Sequence, residues 1–421
     1  MQKLIVLGAS RGTLQLIETA QDMGIYSILV GPEGHSRSLD SFGADEVWTF
    51  DTTDIDGIVA RAQEEDVAGG GILTGISQFN IGNALTIADR LSLPFYCDQS
   101  SWQYTVDKRA FKELCMSCGV PVAKNYQFSR RADGTISVPE LEFPIVVKAV
   151  DLSANRGMSY CYSYDEVVPA CEKALELSAS DTVIIEKMMR GREYTAHYAL
   201  ADGEASLINF CSMFHQPGYP SNCYSFTSTE TERLGQFLGE VDAPFRKALK
   251  KGGMREGVAW IELMLDDDNH FYVLEMGYRM SGDLWALPMK EVCSFDTYKW
   301  LIECAIYGGH EKTCLPAPQR KVPERIGCSY IIWSDHAGEV AILNGLGEVA
   351  ALAPSINVDC SLAVGDRVSK HSYMMVITFA AADRHEVEKI VGDINRMIVV
   401  EDINGEDLCI RFDDYNSFES A

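Results

Sequence analysis

The chain has 421 residues, 47% of them hydrophobic, which suits two or three soluble domains with a sizeable core. Sixty-one acidic against 36 basic residues give a formal net charge of −25, which disfavours nucleic acid and anionic lipid surfaces as partners. No stretch approaches the roughly 20 apolar residues that cross a bilayer, and no signal peptide is recognisable. We therefore expect a cytoplasmic protein that binds neither nucleic acid nor membranes.

The chain contains thirteen cysteines, an odd number that favours reduced thiols packed as small hydrophobic groups. Cys115 and Cys118 form one CxxC inside the apparent helix "DKRAFKELCMSCG". No second pair completes a zinc site, so core packing is favoured there over a redox or metal role.

Short apolar strands alternate with amphipathic helices over the first hundred residues, beginning with "KLIVLGA" and "TLQLIETAQDMG". This alternation predicts an N-terminal parallel α/β domain over residues 1–105. The turn "GASRG" (8–12) joins the first strand to a helix and could hold an anion on its N–H groups. It lacks the third glycine of the dinucleotide fingerprint, so a tight structural turn is favoured.

A second domain is predicted over residues 106–313, where helices mix with strands such as "FPIVVKAV", "TVIIEKMM" and "REYTAHYAL" that we expect to be antiparallel. Three prolines in "CLPAPQRKVPE" (314–324) indicate a linker. Residues 325–421 return to short strands with one helix, "DRHEVEKIVGDINRMI", and predict a small C-terminal α+β domain.

Two glutamates, Glu262 and Glu275, end up opposite each other if "WIELMLDDDNHFYVLEM" is a hairpin that turns at Asp268 and Asn269. Strand alternation then places Trp260 and Met264 on the face of Glu262. It likewise places Phe271 and Val273 on the face of Glu275.

Two carboxylates that meet on an apolar face repel each other unless a proton or a cation lies between them. A close pair of oxygen ligands suits Mg²⁺, which commonly also binds substrate phosphates. The alternative is a solvated hairpin face with two unrelated acids.

Further along the second domain lie groups that can bind a nucleotide. Lys148 precedes the small-residue loop "VDLSANRGMS", whose N–H groups could fold over phosphates with Ser153, Asn155, Arg156 and Gly157. A backbone edge at 187–189 can bind adenine, and the carboxylates Glu186 and Glu193 flank it. Taken one by one, these features also fit a surface salt bridge, an exposed loop and two solvated glutamates.

In their order and spacing, the motifs resemble the ATP-grasp superfamily of carboxylate–amine ligases, over roughly residues 1–310. The motifs that carry the resemblance are "DKRAFKELC", "FPIVVKAVDLSANRGMS", "IIEKMMRGREY", "WIELML" and "LEMGYRMSG". The resemblance implies an N-terminal α/β pre-ATP-grasp domain, an ATP-grasp domain of two α+β subdomains, and a small C-terminal domain. The C-terminal segment loosely resembles that of L-amino-acid ligases.

The resemblance also implies ATP with Mg²⁺, for which Mn²⁺ can substitute, and a role for each matched residue. Lys108 and Lys148 would contact the phosphates, Glu186 with Lys187, Met188 and Met189 the adenine, Glu193 the ribose, Glu262 and Glu275 the metal, and Arg279 the acyl phosphate. The family pattern is Glu-x-Asn-x-Arg, and here Gly277 replaces the asparagine. A second magnesium site is therefore left open.

The expected reaction is ATP-dependent joining of an amino acid or similar small acid to an amine through an acyl phosphate, with ADP and phosphate as products. The catalytic residues would be Lys148 and Arg279. The segment 212–232 could select the acceptor through His215, Tyr219 and Tyr224, or be a flexible surface connection. Gly282 would let the backbone approach the substrate.

Two alternatives remain open, a bicarbonate-using carboxylase or carbamoyl-phosphate-type enzyme and a nucleotide-binding scaffold without turnover. The expected partners are a small carboxylate and an amine. Whether the chain forms a homodimer is also left open.

Overall fold

The structure is a computed structural model that describes residues 1–33, 38–131, 133–150, 157–219, 223–229 and 231–420. Within these ranges, no helix is both long and apolar enough to span a membrane. All thirteen cysteines are free thiols, and Cys115 and Cys118 pack in the apolar core, which confirms the core-packing prediction.

The N-terminal region is a parallel sheet covered by helices, as predicted. Its elements are β1 (Lys3–Leu7), α1 (Thr13–Asp22), β2 (Tyr26–Gly31), β3 (Glu46–Thr49), α2 (Ile55–Glu64), β4 (Gly71–Leu73), α3 (Gln78–Leu91) and α4 (Gln99–Val106). The strand order is β3-β2-β1-β4. The strands are continuous apolar runs because helices bury both faces of the sheet. The order reverses between β1 and β4, and ligands of open α/β sheets bind at such a point, beyond the carboxyl ends of the strands.

Residues 107 to 187 form a small antiparallel sheet with one helix packed against it. The elements are α5 (Lys108–Cys118), β5 (Asn125–Tyr126), β6 (Ser129–Arg130), β7 (Ile136–Ser137), β8 (Ile145–Ala149), β9 (Ser159–Cys161), α6 (Tyr164–Leu177) and β10 (Val183–Lys187). The strand order is β5-β10-β8-β9, with β6 and β7 as a separate hairpin.

A long antiparallel sheet follows and extends through both later regions of the chain. Its first part comprises β11 (Gly191–Ala201), β12 (Glu204–His215), β13 (Tyr224–Ser228), α7 (Leu234–Phe237), α8 (Ala243–Lys251), β14 (Gly257–Asp266), β15 (Phe271–Gly277), α9 (Ala286–Cys293) and α10 (Thr297–Tyr307). A π-helical turn at Leu238–Asp242 joins α7 to α8. β11 pairs with β12 and β14, and both pairings have the antiparallel direction that was expected for the strands of this region.

The C-terminal elements are β16 (Ile326–Ser334), β17 (Gly338–Asn344), α11 (Leu346–Ala350), β18 (Asn357–Cys360), β19 (Arg367–Val368), β20 (Tyr373–Ala381), α12 (Arg384–Met397), β21 (Val399–Asp402) and β22 (Cys409–Ile410). The predicted helix is α12, and the short α11 was not anticipated. In the described chain the long sheet runs β15-β14-β11-β12-β13-β16-β20-β18, with β22 beside β16. The junction between its two parts is the pairing of β13 with β16.

Segment 212–232 was expected to be a loop, but parts of it lie in two strands; residues 220–222 and 230 lie outside the described residues. Residues 212–215 complete β12, and β13 returns beside it in antiparallel register, with Ser212 opposite Ser228. The polar and small residues were misleading because Ser and Thr alternate here with buried Phe226 on a strand that lies inside the sheet.

Candidate active site

Glu262 on β14 and Glu275 on β15 are direct cross-strand neighbours, as predicted. The turn differs from the expected one. It is a three-residue loop, Asp267 to Asn269, with Asn269 in the left-handed region at φ 61°. A β-bulge between Glu262 and Leu263 then shifts the register by one residue. The shift from the turn and the shift from the bulge offset each other, so Glu262 and Glu275 still face each other.

The bulge overturns one expectation about the faces of the sheet. Phe271 and Val273 pair with Leu265 and Leu263, whose side chains are buried in the core, so they lie on the face opposite Glu275. The prediction for those two residues is wrong because the inserted residue reverses the alternation.

The face that carries the glutamate pair does hold Trp260 and Met264, as alternation predicted for β14. Opposite these two residues lie Gly277 and Tyr272 on β15. From β11, Glu193 and Thr195 lie on this face too, because they pair with Met264 and Glu262.

The glutamate pair is electrostatically unfavourable by itself. Burial raises the pKa of Glu262 well above its ordinary value, and the charges of Glu275, Glu193 and Asp283 raise it further, while Arg279 opposes them. Within the described chain, no basic side chain forms an ion pair with Glu262 or Glu275. Two facing carboxylates without a protein cation fit a divalent metal ion that takes oxygen ligands.

Arg279 lies two residues beyond β15, and its guanidinium lies over the Trp260 ring, 5.1 Å from the centroid. Its Nη1 donates a hydrogen bond to Met280 O at 2.8 Å, and its Nε is a buried atom without a hydrogen-bond partner among the described residues. Burial lowers the pKa of Arg279, whereas the Glu275 charge raises it. The stacked ring and the carbonyl orient the guanidinium and leave a donor for a ligand.

The structure explains the glycine at position 277. A Cβ atom there would lie within 2.5 Å of ring atoms of Trp260. The indole therefore occupies the place that an asparagine side chain would need, and the same ring supports Arg279.

Glu186, on β10, is the centre of a buried ion-pair cluster. Its Oε2 lies 2.6 Å from Lys148 Nζ on β8, and its Oε1 lies 3.2 Å from Lys112 Nζ on α5. Burial by itself would raise the pKa of Glu186, but the two lysines reverse the effect and hold the pKa at about 2. The cluster fixes Lys148 in its extended position at the strand end.

Lys112 was missed in the sequence. Its side chain is 1% exposed, and its Nζ also donates to Val273 O at 3.0 Å, which ties α5 to β15. The signal was present, because Lys112 interrupts the apolar stripe formed by Phe111, Leu114 and Cys115. Lys108, the predicted phosphate contact, is half-buried one turn earlier on the same helix.

The predicted adenine edge at 187–189 is partly used by the fold itself. Lys187 N–H donates to Lys124 O at 2.8 Å, and Met188 N–H donates to Pro144 O at 2.9 Å. The Met189 N–H has no hydrogen-bond partner among the described residues, so it is the donor available to a base. The predicted loop residues Ser153, Asn155 and Arg156 lie outside the described residues; Gly157, which follows them, is buried with φ 69°.

Two of the predicted substrate residues, His215 and Tyr224, lie near the glutamate face, whereas Gly282 contacts the N-terminal region. His215 Nε2 is 3.1 Å from Glu193 Oε2. Burial raises the pKa of Tyr224, and the nearby charges of Asp283 and Glu262 raise it further. Gly282 lies against Ile76, whose Cδ1 atom would be 3.6 Å from a Cβ atom built on the glycine.

Tyr219, by contrast, packs against His371, in the turn before β20, at a ring distance of 6.3 Å. The residues that sequence reasoning missed here are Arg11, Asp283 and Tyr373. They come from all three regions of the chain.

Known proteins share this architecture. Residues 106–216 match the family model described as "Phosphoribosylglycinamide synthetase, ATP-grasp (A) domain". The chain is 20% identical to the mitochondrial methylcrotonoyl-CoA carboxylase subunit alpha of Rattus norvegicus, with 99% of this chain and 60% of that subunit aligned. It is 29% identical to the phosphoribosylamine–glycine ligase of Caulobacter vibrioides over 41% of each chain. The chain therefore spans three fifths or less of the length of these relatives.

Two solved structures resemble almost the whole chain. The L-amino acid ligase of Bacillus licheniformis has a TM-score of 0.77 at 16% identity, with 96% of this chain and 99% of that one covered. The biotin carboxylase domain of the Hydrogenobacter thermophilus 2-oxoglutarate carboxylase, solved with MgADP, ADP and bicarbonate, has a TM-score of 0.74 at 16% identity, with 95% and 91% covered.

These findings confirm the resemblance seen in the motifs: the fold is that of the ATP-grasp superfamily. More particularly, residues 106–216 resemble the ATP-grasp domain of phosphoribosylglycinamide synthetase.

Proposed function

We propose that the protein is an ATP-dependent carboxylate–amine ligase that forms ADP and phosphate. The observation that carries the proposal is the half-buried Glu262–Glu275 pair, which makes no ion pair within the described residues and shares its face with Trp260, the ring that supports Arg279. Paired carboxylates with a preorganised arginine suit phosphoryl transfer, which needs positioning and charge neutralisation more than a nucleophilic side chain.

In this proposal Glu262 and Glu275 hold Mg²⁺ or Mn²⁺, which neutralises phosphate charge and orients the triphosphate. Lys148, held by its ion pair with Glu186, contacts the phosphates, and Gly157 lies close to Lys148 in the chain. The Met189 N–H binds adenine, and the Glu193 carboxylate accepts hydrogen bonds from the ribose hydroxyls.

The chemistry takes two steps. An oxygen of the substrate carboxylate attacks the γ-phosphorus, the bond from that phosphorus to the bridging oxygen breaks, and ADP leaves. The amine then attacks the acyl carbon, and phosphate leaves as the C–N bond forms. Arg279 stabilises the negative charge of the phosphoryl group in both steps because its guanidinium is already oriented by Trp260 and Met280 O.

The acid is proposed to be an amino acid or a similar small carboxylic acid. This finer proposal is supported by the fold likeness to an L-amino acid ligase over nearly the whole of both chains, and by the relative named a phosphoribosylamine–glycine ligase.

The test is release of ADP by the purified protein, with Mg²⁺ and ATP, from pooled L-amino acids and other small carboxylates with and without added amines. We expect ADP only when an acid and an amine are both present. The variant Glu275→Gln should lose activity, whereas Glu348→Gln, which changes an exposed acid, should not.

Other outcomes point elsewhere. ADP formation that requires bicarbonate and no amino acid would show a carboxylase-type reaction. Tight ATP binding without ADP under any mixture would show a nucleotide-binding scaffold.

A further inference from the structure

Arg11, in the turn after β1, contacts a tyrosine from the opposite end of the chain. Its guanidinium carbon lies 3.5 Å from the centroid of the Tyr373 ring, on β20. The Tyr373 hydroxyl in turn donates to Gly282 O at 3.3 Å. The N-terminal region, the loop after β15 and the C-terminal region therefore meet at one place.

Two groups of opposite charge at this junction have atoms without a partner. Arg11 Nη1 and Asp283 Oδ1 are buried atoms that make no hydrogen bond within the described residues, and Asp283 is only 4% exposed. Burial raises the pKa of Asp283 to about 6, although hydrogen bonds from Ser281 and the Arg11 charge lower it. A buried charged group that keeps an atom without a hydrogen-bond partner costs free energy. A site that holds both Arg11 and Asp283 in this state is therefore suited to a ligand that pairs with the two side chains.

The junction opens onto the point where the strand order of the parallel sheet reverses. The turn after β4 packs against the turn that carries Arg11, because Ile76 N–H donates to Arg11 O at 3.3 Å. Thr74 Oγ1 and Asn80 Oδ1 are also buried there without hydrogen-bond partners in the described chain. Such a crevice between β1 and β4 is where this sheet type binds ligands.

The same place adjoins the glutamate face. Tyr224 lies within the electrostatic reach of Asp283, Glu262 and Arg11 at once. Arg11, Tyr224 and Tyr373 are all partly accessible to solvent, so the junction is open at its edge beside the buried Asp283.

We propose that Arg11 and Asp283 bind the amine substrate, and that this substrate is an α-amino acid whose carboxylate pairs with Arg11 and whose ammonium group pairs with Asp283. The inference rests on the ligase function proposed above. A guanidinium and a carboxylate presented together complement the two charges of an α-amino acid, and an arginine can bind a carboxylate through two parallel hydrogen bonds.

Asp283 then has a chemical part in the second step. The bound ammonium group gives one proton to the Asp283 carboxylate as the nitrogen lone pair attacks the acyl carbon. The C–N bond forms, the C–O bond to phosphate breaks, and phosphate leaves with that electron pair. The second proton lost from the nitrogen passes to the departing phosphate, which leaves the amide N–H. The proton on Asp283 exchanges with solvent.

The first test compares the best acceptor among the L-amino acids with its α-amide, which lacks the carboxylate charge. The wild-type protein should prefer the amino acid by at least about 10-fold in kcat/KM, the effect of one charge-assisted pair. In Arg11→Gln this ratio should fall to about 1, with the KM for ATP unchanged. A wild-type protein without the preference, or a variant that keeps it, would overturn the proposal.

The second test uses hydroxylamine, a small nucleophile that has no carboxylate and is largely unprotonated near neutral pH. Asp283→Asn should lose at least about 100-fold in kcat/KM with the amino acid but no more than about 10-fold with hydroxylamine. Equal losses with both would show that Asp283 only supports the fold.

The two proposals fail differently. If wild-type protein releases no ADP with any acid and amine, the ligase function itself is wrong. If ADP forms but neither variant changes the choice of amine, the ligase function stands and the amino-acid site is wrong.

Discussion

The indole of Trp260 lies across Gly277, its cross-strand neighbour, and fills the space into which any side chain at 277 would project. The same ring supports the Arg279 guanidinium. Gly277, which departs from the family pattern, is therefore explained by packing between two strands. The large Trp260 side chain on β14 leaves room only for glycine at the facing position on β15.

Gly277→Ala should destabilise the protein by about 1–3 kcal/mol, because the added methyl group overlaps the Trp260 ring. The change is measured by urea unfolding of the wild type and the variant. In a Trp260→Ala background the same substitution should cost less than about 0.5 kcal/mol, since the obstacle is gone. An equal cost in both backgrounds would contradict the contact as the cause.

Arg279→Ala should lower kcat of ADP release by at least about 100-fold, the effect of removing one preorganised donor at a charged transition state. Arg279→Lys should recover only part of this, because an ammonium group lacks the planar surface that stacks on Trp260. The KM for ATP serves as the internal comparison. If both variants turn over like the wild type, Arg279 does not contact the reacting group.

Glu186 should make stability depend on acid pH. Its pKa of about 2 lies below the ordinary value of 4.5, so the charged form stabilises the fold at neutral pH. That contribution is lost as the pH falls from the ordinary value toward the folded-state value. The stability advantage of the wild type over Glu186→Gln, measured by urea unfolding, should therefore shrink steadily below about pH 4.5.

The control for that series is Glu172→Gln, which changes an exposed glutamate on α6. Its stability difference from the wild type should stay near zero at every pH. Parallel curves for wild type and Glu186→Gln would show that the lysine cluster does not perturb Glu186.

Lys112→Met should destabilise the fold by about 3 kcal/mol, because the change leaves Val273 O and one oxygen of Glu186 without their buried partner. Thermal or urea unfolding measures the loss. Lys173→Met, at an exposed position of α6, is the matched control and should be nearly neutral. A Lys112 variant as stable as this control would show that the buried pair makes no net contribution.

Local patterns in the sequence predicted much of the fold and part of the site. The parallel N-terminal sheet follows from the alternation of strands and helices. The pairing of Glu262 with Glu275 was predicted through a different turn, and it holds because the bulge offsets the difference in the turn. The side of the sheet on which Phe271 and Val273 lie was predicted wrongly. A single bulge reverses the alternation there and leaves no clear mark in the sequence.

The remaining site residues depend on contacts between distant segments. Lys112 could have been noticed as a charge within an apolar stripe. The approach of Arg11 to Tyr373 and Asp283 joins distant parts of the chain, and local sequence patterns carry no signal for such a contact.

The pairing of β13 with β16 has a consequence for dissecting the protein into pieces. A fragment that stops at the proline-rich segment would leave β13 as a bare edge, with Phe226, fully buried in the intact chain, stripped of its neighbours. Exposed edges of this kind recruit other strands, so such a fragment should self-associate on expression. The first three quarters of the chain should therefore depend on the last hundred residues, which cover this strand edge and so limit aggregation.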